Sequence, residues 1–261
     1  MKGRELIQYI SLLFKNLDNV MPYSEAILVH IYNFVLKSIL RYDLSGKVIV
    51  RVSDVKVRYL QGMDFEQFLF KGYQRYPNYI PKRGDIVVDV GAFVGLYSLK
   101  AGKLGAFVIA IEPNPIAFIQ LLENIMVNNL LGNIVPINVA LSDQEGYGYL
   151  NVVDTHIPSG KAHLSSADMP GAKQVRLVTF DSLILKKGLS WVDIVKVDVE
   201  GHELQVLKGM KESLRKGLVD KLIIEVHTPV KERLPHIISI IKYYQYEIDG
   251  IYRGVLYARR K

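Results

Sequence analysis

The chain has 261 residues, of which 49% are hydrophobic and 23% are charged, and its formal net charge is +7. These values fit one α/β domain with an extension and exclude a disordered chain, and the lack of cysteine excludes disulfides, thiolate metal sites and a cysteine nucleophile. The positive charge favours anionic partners such as a nucleotide-sugar, RNA or an anionic membrane surface, although a solvated basic surface gives the same balance.

The N-terminal part of the chain predicts two helices and a hairpin. Apolar residues recur at helical spacing between residues 6 and 17, and Ser24 is a suitable N-cap for a second helix that ends near residue 41. Alternating apolar and polar residues over 47–60 predict a β-hairpin. We therefore expect residues 1–80 to form a helical and hairpin extension. Its second, apolar helix can pack under the next domain, form a homo-oligomer surface or lie on a membrane, and packing is the preferred interpretation.

The most apolar N-terminal stretch, residues 26–36, is too short to span a bilayer. The N-terminus also lacks the apolar core and cleavage site of a signal peptide. These features predict a cytoplasmic protein without a transmembrane segment.

The pattern from residue 86 to residue 114 predicts a nucleotide-binding βαβ unit. Ile86–Val90 and Phe107–Ile111 are apolar, β-branched runs that suit buried parallel strands, and residues 96–104 can form the helix between them. The acid inside the first strand, Asp89, suits a cationic ligand.

The turn after the first strand indicates which nucleotide binds. A dinucleotide fingerprint needs glycines at the first, third and sixth turn positions, where this chain has Gly91, Phe93 and Leu96. Glu112 follows Gly91 by about twenty residues, where a carboxylate accepts both ribose hydroxyls in such units. The turn, which Gly95 closes, therefore favours S-adenosylmethionine over NAD, and a turn that binds nothing is the remaining alternative.

The next segments predict the adenine side of the site and a covering loop. A helix is expected over 115–128 and a third strand over 134–138, after which Asn138 or the backbone around Ala140 reads the edge of the adenine ring. Residues 154–173 form a long Ser-, Gly- and Pro-containing stretch with His156 and His163. Because such loops are usually functional or mobile, we expect a lid over the acceptor.

A second informative stretch runs from residue 191 to residue 210. Residues 194–199 predict a core strand on which Lys196, Asp198 and Glu200 share one face. The two acids then lie near the carboxyl end of the strand, where open α/β sheets bind their ligands.

Lys196 is unusual inside a core strand because a buried ammonium group is costly without a partner. We expect it to pair with a carboxylate on a neighbouring strand, either Asp89 or Glu225.

The chain resembles the FkbM family of S-adenosylmethionine-dependent methyltransferases in five segments: VDVGAFVGLYSL, IAIEPNP, NVALSD, TFDSL and IVKVDVEGHELQVLKGM. The resemblance covers residues 84–227. It implies a class I methyltransferase (Rossmann-like) α/β fold over 81–261, with a seven-stranded, mostly parallel sheet, helices on both faces and one antiparallel strand. The C-terminal segments 246–251 and 254–259 can supply the closing hairpin after a helix over 231–244.

The resemblance also implies the residues that contact the cofactor, which come from the first turn, the ribose-binding acid, the third strand and the fourth: Asp89, Gly91, Ala92, Phe93, Gly95, Glu112, Pro113, Asn138, Ala140, Leu141 and Asp198. Phe93 stands where many methyltransferases have a second glycine, although similar turns occur in this family. The implied activity is O-methylation of a hydroxyl on a sugar, glycan or other small-molecule acceptor, and the identity of that acceptor does not transfer.

Methyl transfer from a sulfonium depends mainly on alignment, and a hydroxyl acceptor also gains from a base that takes its proton. The candidate catalytic residues are Asp198, Glu200, His202 and His227, with His156 and His163 as further candidate bases. Either carboxylate can instead orient the acceptor.

Three alternatives stay open from the sequence. Asp198, Glu200 and His202 are metal-ligand types, but hydrogen-bonded carboxylates are the preferred interpretation and no metal site is predicted. The basic charge allows an RNA methyltransferase, although no RNA-binding module is recognisable and a nucleic-acid partner is not expected. The third alternative is a non-catalytic protein that assembles through its N-terminal helices.

Overall fold

The structure, a computed structural model, describes residues 49–52, 54–58, 76–151, 163–165, 171–227 and 230–261. The chain divides into two compact units, Met1–Phe65 and Glu66–Lys261. The predicted N-terminal helices lie outside the described residues, as does most of the predicted lid, including His156. The predicted domain boundary at residue 80 stays a prediction.

The described part of the first unit is a hairpin. Strands β1 (Ile49–Val52) and β2 (Val55–Arg58) pair antiparallel, with Val52 opposite Val55. This pairing confirms the hairpin that the alternating sequence predicts.

The second unit alternates strands and helices along the chain. Its described strands are β3 (Ile86–Val90), β4 (Phe107–Ile111), β5 (Ile134–Ile137), β6 (Ala140–Leu141), β7 (Gly146–Asn151), β8 (His163–Ser165), β9 (Lys173–Val178), β10 (Val192–Val197), β11 (Val219–Glu225), β12 (Tyr246–Tyr252) and β13 (Val255–Arg260). Its described α-helices are α1 (Leu96–Lys103), α2 (Pro115–Val127), α3 (Phe180–Lys186), α4 (Glu203–Lys208), α5 (Lys211–Arg215) and α6 (Val230–Tyr243). In this part of the chain, none of the helices combines the length and apolar character that crossing a membrane requires.

Seven strands form the main sheet in the order β12-β13-β11-β10-β3-β4-β5. The five strands from β11 to β5 are parallel, whereas β13 runs antiparallel to both of its neighbours. The seven-stranded class I fold is therefore confirmed, but the expectation of a mostly parallel sheet is corrected to a mixed one. The reason is the closing hairpin, because a short turn between β12 and β13 reverses the chain.

A smaller sheet with the order β6-β9-β7-β8 lies beyond β5 in the chain. Strand β6 pairs parallel with β9, and β7 pairs antiparallel with both β8 and β9. The sequence predicts strands in this region but not their union into a second sheet.

Helices cover both faces of the main sheet. On one face, Val88 and Val195 pack in a buried apolar cluster with Phe180 of α3, Leu207 of α4 and Ile237 of α6. The alternation of side chains along β3 turns Asp89 to the other face, which α1 covers. The carboxyl ends of β3, β4, β10 and β11 meet at one edge of this sheet, where ligands bind in open α/β folds.

Candidate active site

The turn after β3 brings two strand ends into close contact. Gly91 has a φ of +79°, and a Cβ atom built on it would lie 1.8 Å from the carbonyl oxygen of Asp198. The N–H groups of Gly91 and Ala92 both donate to the carbonyl of Ile111, at 2.9 Å. Gly95, with a φ of +94°, is the N-cap of α1. A glycine at position 91 is therefore required for β3 and β10 to end side by side.

Glu112 lies immediately after β4 with its carboxylate fixed at the turn. Its Oε2 accepts the N–H of Phe93 and its Oε1 accepts the N–H of Asn114, each at 2.8 Å. Burial raises the pKa of Glu112 to about 7, although these two hydrogen bonds favour the charged form. Each carboxylate oxygen accepts more than one hydrogen bond, so the group can still accept from a ribose.

Two further features shape the same turn. Phe93 has a φ of +53°, a left-handed conformation that costs a residue with a side chain roughly 1–2 kcal/mol. The hydrogen bond from its N–H to Glu112 holds it there. Asn114 caps α2 by accepting the N–H of Ile116, as the sequence predicts.

The predicted adenine-flanking residues have structural partners. The side-chain amide of Asn138 donates to the carbonyls of Glu112 and Pro113, at 2.8 and 3.1 Å. Ala140 and Leu141 are buried in β6 and pair with β9. Asn138 thus supports the segment that carries Glu112, and its contact with adenine stays a prediction.

Lys196 is buried and joins two carboxylates. The register of β10 on β3 places it opposite Asp89, whose Oδ1 lies 3.0 Å from its Nζ. Nζ also lies 3.2 Å from Oδ2 of Asp198 and donates to the carbonyl of Gly91 at 3.1 Å. Asp89 is fully buried and accepts from Ser98 of α1 at 2.6 Å. The predicted partner on a neighbouring strand is confirmed as Asp89.

The charge of this lysine follows from its neighbours. Burial alone would lower the pKa of Lys196, but the carboxylates of Asp89 and Asp198 outweigh burial and raise it. A protonated Lys196 therefore sits beneath the turn and holds one oxygen of Asp198, while Oδ1 of Asp198 faces the other side.

The side chain of Asp198 meets those of Glu200 and His227 at the end of β10. Strand β10 ends at Val197, and its parallel neighbour β11 brings His227 to the same edge of the sheet. The Nε2 atom of His227 lies 3.6 Å from Oδ1 of Asp198 and 3.6 Å from Oε1 of Glu200. We call Asp198, Glu200 and His227 the carboxylate–histidine cluster.

Glu203 sets the orientation of the histidine in this cluster. The carboxylate of Glu203 is fully buried, and its Oε1 lies 2.7 Å from Nδ1 of His227 and accepts the N–H of Gly201 at 2.9 Å. Arg233 approaches its other oxygen at 3.5 Å. Burial alone would lower the pKa of His227, but Glu203 and the carboxylates of the cluster raise it to about 9.

Glu200 and His202 differ although they are close in sequence. Glu200 has a left-handed backbone, with a φ of +48°, and burial raises its pKa. His202 precedes α4 and places its Nε2 3.0 Å from Oγ of Ser142, and burial lowers its pKa. The structure thus brings His227 to the carboxylates and His202 to Ser142, and the catalytic role of each stays a prediction.

Sequence reasoning missed Glu203. It begins α4, a position where exposed acids are common because they interact favourably with the helix dipole. No local pattern distinguishes a buried acid there, and its partner His227 is 24 residues away.

One known protein family matches the sequence of this chain. The family model described as the Methyltransferase FkbM domain matches residues 89–248, a range that contains every predicted site residue. The chain belongs to the FkbM methyltransferase family. The resemblance in the five sequence segments is thereby confirmed.

Curated relatives of this FkbM-family chain come from three organisms. It is 33% identical over 146 residues to the hexuronic acid methyltransferase AglP of Haloferax volcanii, covering 56% of this chain and 57% of that protein. It is 30% identical to the methyltransferase sdnD of Sordaria araneosa, covering 55% and 66% of the two chains. It is 24% identical to the 31-O-demethyl-FK506 methyltransferase FkbM of Streptomyces tacrolimicus, covering 61% and 71%. The first two matches thus span less than two thirds of those relatives.

Solved structures align with the FkbM-family chain at lower sequence identity. A transferase from Pyrococcus horikoshii, PH0793, aligns over 91% of this chain and 83% of its own, with 18% identity and a TM-score of 0.48. The TYW2 protein of M. jannaschii in complex with AdoMet aligns over 83% and 85%, with 15% identity and a TM-score of 0.43. The fold assignment rests on the strand order given above rather than on these overlaps.

Proposed function

We propose that this chain is an S-adenosylmethionine-dependent methyltransferase that methylates an oxygen atom of a sugar, glycan or other small-molecule acceptor. Membership of the FkbM family supports methyl transfer. The observation that supports the cofactor most strongly is Glu112, a buried carboxylate that the N–H groups of Phe93 and Asn114 fix at the carboxyl end of β4. A carboxylate in this place accepts the two ribose hydroxyls of an adenosyl group.

The residues of the turn fit such a cofactor. Gly91 and Gly95 let the turn pack directly against the Asp198 carbonyl and Leu121, so that β3 and β10 end together at the edge proposed for the cofactor. The turn lacks the third-position and sixth-position glycines that a pyrophosphate needs. When bound, S-adenosylmethionine supplies an electrophilic methyl group on a sulfonium with a good leaving group. Glu112 would hold its ribose, and Asp198 would lie beside the methyl-bearing part.

The carboxylate–histidine cluster is the proposed acceptor side. Lys196 lies 3.2 Å from one oxygen of Asp198, so an ion pair already occupies that oxygen. Glu200 has no such ammonium partner among the described ion pairs, and its side chain is 35% exposed. Glu200 is therefore the proposed base that takes the proton of the acceptor hydroxyl, while Asp198 and His227 orient the acceptor. Glu203 keeps the imidazole of His227 turned towards the cluster.

The names of the relatives and the net charge of the chain support one class of acceptor. One relative is named for a hexuronic acid and another for a 31-O-demethyl substrate, which supports an oxygen acceptor. The net charge of +7 suits an anionic acceptor. A glycan that carries a hexuronic acid is therefore the proposed first substrate class.

The test is methyl transfer from labelled S-adenosylmethionine to hexuronic acid oligosaccharides, with matched neutral hexose oligosaccharides alongside. We expect label on the acidic glycan and a loss of about 10²-fold or more in Glu200→Gln. The exposed His236→Ala on α6 is the matched control and should retain activity. Alkali distinguishes the acceptor oxygen, because a methyl ester on the carboxyl group is hydrolysed and a methyl ether on a hydroxyl is not.

The outcomes separate the two parts of the proposal. If adenosyl ligands bind but no sugar is labelled, the acceptor class is wrong. If S-adenosylhomocysteine fails to bind at millimolar concentration, the cofactor assignment is wrong.

A further inference from the structure

We propose that the carboxylate–histidine cluster binds one divalent metal ion through Oδ1 of Asp198, Oε1 of Glu200 and Nε2 of His227. The chemistry assigned to the ion rests on the proposed function, but the binding site itself does not. It replaces the sequence-based expectation that no metal is bound, and it substitutes His227 for the His202 that sequence proximity suggested as a ligand.

The spacing of the three donor atoms supports the site. They all lie within 4.8 Å of one another, and Nε2 of His227 is 3.6 Å from each carboxylate oxygen. Donors bound to one ion at about 2.1 Å, with angles between 90° and 110°, lie about 3.0–3.4 Å apart. Small side-chain rotations therefore bring the three atoms to coordination distance.

Neighbouring buried charges orient two of the donor side chains, those of His227 and Asp198. Metal-bound histidines usually donate their other N–H to a carboxylate, and the buried Glu203 lies 2.7 Å from Nδ1 of His227. In a neutral imidazole this contact favours the proton on Nδ1 and leaves the Nε2 lone pair for an ion. Lys196 in turn binds Oδ2 of Asp198 at 3.2 Å, so that Oδ1 faces the cluster. The donors are thus oriented by a fully buried acid and a buried ammonium.

The donor set and its exposure indicate the kind of ion. One imidazole and two carboxylates suit a first-row ion such as Mn²⁺, Fe²⁺ or Zn²⁺. The side chains of Asp198, Glu200 and His227 are 26%, 35% and 20% exposed, so the site opens to solvent on one side. Three protein ligands leave positions for water or acceptor oxygens, as catalytic metal sites do.

The ion would activate the acceptor. A hydroxyl bound to it has a lowered pKa, and the oxygen of Glu200 that does not bind the ion takes the proton. The acceptor oxygen forms its bond to the methyl carbon as the carbon–sulfur bond breaks. The products are the methylated acceptor, S-adenosylhomocysteine and one proton on Glu200.

The competing arrangement has no ion. A protonated His227 lying between Asp198 and Glu200 would also neutralise the two carboxylates. The two arrangements differ in one measurable property, which is saturable binding of a divalent ion at these side chains.

The experiment is a titration of the full chain with Mn²⁺, followed by electron paramagnetic resonance. We expect one Mn²⁺ per chain, and a loss of affinity of at least 100-fold in Asp198→Asn and in His227→Ala. Glu203→Gln should weaken binding by 10- to 100-fold, because it alters only the group behind the histidine. His236→Ala, an exposed histidine on α6, should bind as the unchanged chain does.

Each variant is also titrated with S-adenosylhomocysteine, which reports a folded cofactor site. Absence of saturable Mn²⁺ binding in a chain that still binds S-adenosylhomocysteine overturns the metal site and leaves the proposed function intact. Equal Mn²⁺ affinity in the unchanged chain, Asp198→Asn and His227→Ala places the ion elsewhere and also overturns the proposal. Loss of both ligands in Asp198→Asn agrees with the place of Asp198 at both the cofactor and the ion, and His227→Ala then decides the outcome.

Discussion

Two charged clusters meet at Asp198 and differ in their access to solvent. On the buried side, Lys196 joins Asp89, and Ser98 donates to that same acid. On the open side, the carboxylate–histidine cluster is 20–35% exposed. The buried cluster has its partners inside the fold and fixes the ends of β3 and β10. The open cluster has donor atoms that solvent or a ligand can reach.

The largest expected effect is on the buried side, in Lys196→Met. The variant leaves Asp89 as a buried charge without its cation, which typically costs about 3–5 kcal/mol of unfolding free energy. Urea denaturation measures the loss. Arg215→Met, which breaks the exposed ion pair with Glu212, is the matched control and should change stability far less. A loss below about 1 kcal/mol in Lys196→Met would show that the buried pair is not essential to the fold.

Gly91→Ala tests whether the two clusters depend on close contact of their strands. The added Cβ would collide with the Asp198 carbonyl, and the φ of +79° disfavours alanine, so we expect a loss of about 2 kcal/mol or more. Adenosyl binding should weaken with it. Gly132→Ala is the control, because a Cβ there meets no atom within 4 Å. Equal stability of the two variants in urea would contradict the role given to Gly91.

The pH dependence of cofactor binding separates Glu112 from both clusters. Burial raises the pKa of Glu112 to about 7, and ribose hydroxyls donate to its charged form. The affinity for S-adenosylhomocysteine should therefore fall by up to about tenfold per pH unit below pH 7 and level off above it. Calorimetry across pH 5.5–8.5 measures the slope, and Glu112→Gln should remove it.

Without ligand, Glu112 makes the free energy of unfolding depend on pH with the opposite sign. The folded-state pKa is raised from 4.5, so the folded chain binds more protons between the two values. The contribution of Glu112 to stability is present below pH 4.5 and is lost as the pH rises through about 7. A difference in melting temperature between the unchanged chain and Glu112→Gln that does not vary with pH would contradict this shift.

The smallest expected effect is that of His202→Asn. The variant alters the contact with the buried Ser142, which is worth about 1 kcal/mol. It leaves the carboxylate–histidine cluster in place, so methyl transfer should change by less than about tenfold. A loss of 10²-fold or more, in the range of a missing general base, would support His202 as the catalytic base instead of Glu200.

The strands and first turn of the site could be predicted from local sequence. The bounds of β3 and β4 follow from β-branched runs, and Asn114 is identifiable as a cap from the proline after it. A carboxylate partner for Lys196 on a neighbouring strand follows from the cost of burying an ammonium, although the sequence leaves both Asp89 and Glu225 open and the structure shows Asp89. These inferences need only strand order and the short-range chemistry of the chain.

The rest depends on contacts that the local pattern does not encode. Glu203 meets His227 only because β11 runs parallel to β10 and ends beside it. The mixed character of the main sheet arises from a hairpin at the far edge, and the small β6-β9-β7-β8 sheet joins strands separated by long connections. In each case the contact depends on how the strands assemble into a sheet and not on residues that are close in sequence.

The most direct test of the proposed function is calorimetric titration of the chain with S-adenosylhomocysteine, compared with NAD and with the Glu112→Gln variant. The account predicts one S-adenosylhomocysteine site per chain, no NAD binding, and an affinity at least tenfold weaker in Glu112→Gln. Equal affinity in the variant, or binding of NAD in place of S-adenosylhomocysteine, would contradict the assignment of Glu112 as the ribose-binding residue of a methyltransferase.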